Sequence, residues 1–137
     1  MIEKQILKLM LNKKFYVQYK GQISRNVFQG SFGALFETIQ KAHEKYDADL
    51  SVDELYTLHT GVYNPALTRA AKEQFSELVE DIKETTEPSQ AIAKDIVNIM
   101  SQRDVAQRIA IEATEIFNGK PAEFDIINKI IEDHKKG

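Results

Sequence analysis

A chain of 137 residues with 42% apolar content can bury one core and leaves little room for two. It has no cysteine, which excludes disulfides and thiolate metal sites and favours a cytoplasmic protein, and it has no apolar run near the ~20 residues that span a bilayer. The net charge of −3 hides a split: residues 1–45 carry eight Lys/Arg against three Asp/Glu, residues 46–90 three against ten, and residues 91–137 seven against eight. Such a division makes opposite-sign patches that can order protomers or dock partners, while the acidic balance disfavours tight nucleic-acid binding.

The periodicity is helical almost throughout. Ile2, Ile6, Leu9 and Met10 fall at helical spacing, with Leu7 widening the stripe, and the lysines between them make the segment unlike a signal peptide. Lys14 to Tyr19 alternates briefly and is the one strand candidate. Phe32, Leu35, Phe36, Ile39 and Ala42 define a second helix whose start is blurred by Gly30 and Gly33. Ser51 with Glu54 forms a capping box, so a short third helix is expected from Val52 to His59, stopping at Gly61. Asn64-Pro65 reads as the start of a fourth helix through Leu67, Ala71, Phe75, Leu78 and Ile82. A long helix is expected from Ser89 to Phe117, broken by Asn118-Gly119-Lys120-Pro121, and a last one carries Phe124, Ile127, Ile130 and Ile131. The expected fold is therefore all-α and a single domain, with a compact helical head over 1–87 followed by a C-terminal helical hairpin over 88–134.

The apolar surface of the long helix is wider than one helix partner can cover. Ile92, Ile96, Ile99 and Arg103 lie on one side, with Val97, Met100 and Ile111 off it. Together with Phe124, Ile127 and Ile131 of the last helix, the first group forms the candidate oligomer interface, unless the head takes up that surface.

Catalytic and metal chemistry find little footing. His43, His59 and His134 stand at no recognised ligand spacing, and no serine sits in a nucleophile elbow. Gly119-Lys120 lacks the hydroxyl residue of a P-loop because Pro121 follows, and Gly30-Ser31-Phe32-Gly33 follows no strand. Asp47, Asp49, Asp53 and Glu54 cluster around a loop without calcium-loop spacing. No catalytic residue, cofactor site or metal site is expected in the chain. Lys13, Lys14, Tyr16 and Lys20 mix cations with aromatics, so they are candidates for weak, salt-dependent contact with single-stranded nucleic acid; the competing expectation is that the aromatics plug the core.

The order of these pieces resembles the N-terminal domain of DnaB-type replicative DNA helicases. That family opens with a helix of the form I-E-x-x-x-L, here Ile2-Glu3-Lys4-Gln5-Ile6-Leu7. An Asp-Phe-Tyr-like element follows, here Asn26-Val27-Phe28, then an Ile-Phe-Glu helix, here Leu35-Phe36-Glu37-Thr38-Ile39. Val52-Asp53-Glu54-Leu55-Tyr56-Thr57-Leu58 matches the next segment, and Arg103, Arg108 and Ile109-Ala110-Ile111-Glu112-Ala113-Thr114-Glu115-Ile116 match the long helix. The resemblance spans nearly the whole chain. The altered Asn26-Val27-Phe28 and the absence of a glycine pair over 60–65 are similar to a phage-like member. It implies a head and hairpin without catalysis of their own, hairpins that pair into dimers, and a hexameric collar of three dimers that recruits primase and a helicase loader. The ATP and magnesium of the parent helicase would belong to a motor domain after this segment, in the bacterial host cytoplasm if phage-encoded. The alternative is the helicase-binding adaptor domain of a primase, which has a similar head and hairpin; a helix opening directly after Met1 favours the first.

Overall fold

The computed structural model describes residues 2–121 and 124–136, and among them the fold is all-α, with seven helices and no strand. They are α1 (Ile2–Met10), α2 (Lys13–Tyr19), α3 (Ser31–Lys45), α4 (Val52–Thr57), α5 (Arg69–Glu84), α6 (Gln90–Phe117) and α7 (Phe124–Lys136), with a 3-10 turn at Arg25–Val27 and a π-helical turn at Leu58–Tyr63.

α1 turns Ile6, Leu7 and Met10 fully inward, and Leu35, Phe36 and Ile39 of α3, Leu55 of α4, Ile82 of α5 and Val97 of α6 close around them. α3 is the middle of this core, packed on α1, α4, the 3-10 turn and the π-helical turn. Its start is set by Gly30, whose φ of +56° only glycine adopts at no cost. Gly33 sits in a tight place: a β-carbon there would come within 3.3 Å of both the Arg25 side chain and the Phe28 carbonyl, so these neighbours would have to give by a few tenths of an ångström.

Three sequence expectations change. The segment Lys14 to Tyr19 is helix α2, because the Asn12 side chain caps it by accepting from the Phe15 N–H, and Phe15 and Tyr19 then meet one turn apart with ring centroids 4.6 Å apart. Ser51 and Glu54 do form the capping box, but Gly61 does not stop the chain; it runs on through a wider turn to Tyr63. Asn64 is not a cap for α5, because its side-chain amide is spent on the His59 carbonyl (3.0 Å) and ring Nδ1 (3.2 Å); Thr68 caps α5 instead, accepting from the Ala71 N–H.

Lys8 ties the first helix to the end of the fifth. Its ammonium donates to the carbonyls of Lys83 (2.9 Å) and Thr85 (2.6 Å), satisfying orphan acceptors where the α5 dipole is negative. Lys8→Met keeps the stem and removes the donors, so urea unfolding should show a loss of about 1–2 kcal/mol; an unchanged midpoint would mean water serves those carbonyls equally well.

α6 has 28 residues and is about 42 Å long. Its first half belongs to the head: Ala93, Ile96, Val97, Met100, Ser101 and Asp104 are buried, and no residue after Asp104 is. The second half stands clear with α7 folded back along it, the Ser101 hydroxyl and the His134 ring lying 3.3 Å apart. Gly119 at φ +111° turns the chain, and Lys120 pins the turn through Glu112 (2.9 Å) and Glu115 (3.1 Å).

Candidate functional site

α6 has three faces. Val105, Ile109 and Ile116 are half-buried, as are Ile126, Ile127, Ile130 and Ile131 of α7, which is how two antiparallel helices share one seam. No α7 residue among those described is buried, since a single helix partner leaves every apolar side chain part wet. A second face, on the inner half, is sealed by the head. The third has no partner among the described residues: Ile92, Ile99, Arg103, Ala106, Ala110, Ala113 and Phe117 are all exposed. After Ile99 they recur at alternating four- and three-residue intervals, the heptad rhythm of a helix that pairs with another. Phe117 is 89% exposed and Phe124, across the hairpin turn, 61%.

Of the residues picked out for an interface, Ile92, Ile99 and Phe124 are exposed, and Arg103 sits in the middle of the stripe. Ile127 and Ile131 are half-buried in the seam with α6. Ile96 is a correction: at 8% exposure it is part of the core, because the head takes the ridge formed by Ala93, Ile96, Val97 and Met100. Val97 and Met100, which the sequence places off the interface side, are buried in that same ridge, at 0% and 3% exposure. Ala106, Ala110, Ala113 and Phe117 were missing from the sequence-based set; the heptad spacing running from Ile99 to Phe117 is the signal that identifies them.

The basic–aromatic segment comes apart as a nucleic-acid surface. Tyr16 is 6% exposed and stacks on His43 with centroids 4.6 Å apart, so its ring offers no face to a base. Burial, with Glu44 nearby, also pushes its phenol above the ordinary tyrosine range. Lys13 is turned back onto the end of α3, its ammonium donating to the carbonyls of His43 and Tyr46. Only Lys14 and Lys20 of the four point freely outward.

Arg108 is ion-paired with the buried Asp104, one turn away on α6. Among the described residues no group of three or more His, Asp or Glu side chains converges as metal ligands, and no helix is long and apolar enough to cross a membrane. Comparison with protein-family models, with curated proteins and with solved structures finds no match.

Proposed function

We propose that this chain is the non-catalytic assembly and docking domain of a DnaB-type replicative DNA helicase, a phage-like member of that family. The observation that carries the reading is the outward stripe of α6: a mostly apolar, heptad-spaced face on a hairpin that projects from the head, covered by none of the described residues. In this reading two copies pair hairpin to hairpin through Ile92, Ile99, Phe117 and Phe124, with the alanines letting the helices approach closely. Three such pairs form the collar of the full helicase. Primase and a helicase loader dock on the collar, while ATP and magnesium act only in the motor domain.

Apolar burial at about 25 cal/mol per Å² must offset several kcal/mol of association cost, so the isolated pair is a weak dimer and not a hexamer. Ile99→Glu with Phe117→Glu puts charges on two exposed positions. Sedimentation should turn from a concentration-dependent dimer to a folded monomer, with the thermal midpoint nearly unchanged because neither side chain is in the core. A wild-type chain that stays monomeric at high concentration refutes the pairing. The helicase assignment is tested separately by the reading frame after residue 137: a P-loop ATPase sequence there supports it, and a frame without one refutes it.

A further inference from the structure

A second pairing surface lies on the head, away from the hairpin, and it does not rest on the reading above. α2 and its C-cap present Lys14, Val17 and Lys20 at three-residue spacing; all are exposed, Val17 by 52%, and neither ammonium has a hydrogen-bond or ion-pair partner among the described residues. Beside it is a groove of about 450 Å³ lined by the apolar Tyr46, Leu50 and Leu58 and by the carboxylates of Asp49, Asp53 and Glu54. Glu54 is held below its ordinary range by the Ser51 backbone N–H and hydroxyl, Asp49 accepts from the Lys13 backbone N–H at 2.8 Å, and the nearest cation to Asp53 is Lys83 at 3.9 Å.

These two surfaces are complementary in charge and shape: an apolar side chain between two ammonium groups, and an apolar groove edged by carboxylates. They are also neighbours. The Lys13–Asp49 hydrogen bond and the bond from the Leu50 N–H to the Leu11 carbonyl join the start of α2 to the loop that leads into the groove. A lysine patch cannot fold onto the groove of its own chain, because α2 is already fixed there by Asn12 and Asp49. Complementary patches side by side on one protomer suit a two-fold contact, in which one axis between them sets each patch on the other copy's complement.

We propose that the head carries this second, electrostatic self-association surface, with Val17, Lys14 and Lys20 of one copy seated at the Asp49–Asp53–Glu54 groove of another. A chain with one pairing face on the hairpin and another on the head can be linked beyond a dimer. The contact is exposed and charged, so it is weak and salt-sensitive. The Debye length falls from ~30 Å at about 0.01 M salt to ~3 Å at about 1 M.

The test uses the full chain bearing Ile99→Glu and Phe117→Glu, so that hairpin pairing is removed. Sedimentation should still show dimers at low salt, with the dissociation constant rising about tenfold or more as salt is raised through that range. K14E/K20E on this background should weaken the dimer by at least as much, and D53K, which reverses a carboxylate lining the groove and leaves the Ser51–Glu54 cap and Asp49 in place, should weaken it too. Circular dichroism confirms that each variant is folded. A background chain that is monomeric at low salt, or a dimer indifferent to salt or to the reversals, overturns the proposal. None of these outcomes depends on whether the hairpin pairs.

Discussion

Phe36→Ala should cost about 3–5 kcal/mol, a large share of the roughly 5–15 kcal/mol that holds a domain together. Phe36 is fully buried and the largest side chain in the core to be so. Its ring lies 4.8 Å from that of Phe28, tilted by 36°. The helix that bears it is clasped by α1, α4, the 3-10 turn and the π-helical turn, so the walls of the cavity cannot collapse inward without moving several elements at once. Urea unfolding of Phe36→Ala is the measurement. Phe117→Ala is the control, because a phenylalanine 89% exposed should change the midpoint little. Comparable losses at both positions would contradict the division between core and free surface.

How much of this was legible beforehand follows a physical line. Long amphipathic stretches announce themselves, since α5, α6 and α7 each repeat the 3.6 period over several turns; Ser89 does cap α6, and the Ser51–Glu54 box does open α4. Short elements do so only where a capping box marks them, as at α4. In α2 seven residues are too few for a period to emerge, and the alternation of Lys14 to Tyr19 is an accident of composition. Asn64-Pro65 fits the start of a helix, yet the Asn64 amide goes to His59, a contact no local rule foresees.

The candidate face was half legible for a related reason. Periodicity tells which residues share one side of α6, but three things compete for its sides: the head, α7 and solvent. Ile92 and Ile96 differ by a single turn, and only the packing of the head decides that Ile96 is core while Ile92 stays outside. The charge asymmetry was plain in the sequence, but not that Lys8 and Lys13 would be turned inward to close helix ends and leave Lys14 and Lys20 as the free cations of α2.

Acid should weaken the fold well before its carboxylates protonate, through His43 and His59. Both rings are almost wholly buried, at 3% and 2% exposure. Desolvation is the main reason each has a pKa below the ordinary histidine value; Lys13 adds to it at His43 against the opposing pull of the Met10 carbonyl and Asp49, and Lys41 adds to it at His59. Local geometry agrees. His43 Nε2 lies 2.7 Å from the Met10 carbonyl and so carries the proton, while buried Nδ1 has no partner and would gain an N–H with no acceptor. His59 Nδ1 receives the Asn64 amide at 3.2 Å and lies 2.7 Å from the Thr38 hydroxyl, so protonating it would set the Asn64 donor against a donor. Above about pH 6.5 both rings are neutral folded or unfolded, and neither costs anything. Below it the unfolded chain takes up protons that the folded chain refuses, so stability falls with pH until the lowered folded pKa values are reached. The slope is at most about 1.4 kcal/mol per pH unit for each ring, or roughly twice that for both. Urea unfolding between pH 7.5 and 5.5, about one unit to either side of the free histidine value, should show this loss, with His43 and His59 keeping neutral-ring proton shifts in the folded state at pH 6. Stability that is level across the range, or folded-state titration of either ring at the free value, would show that water reaches these sites.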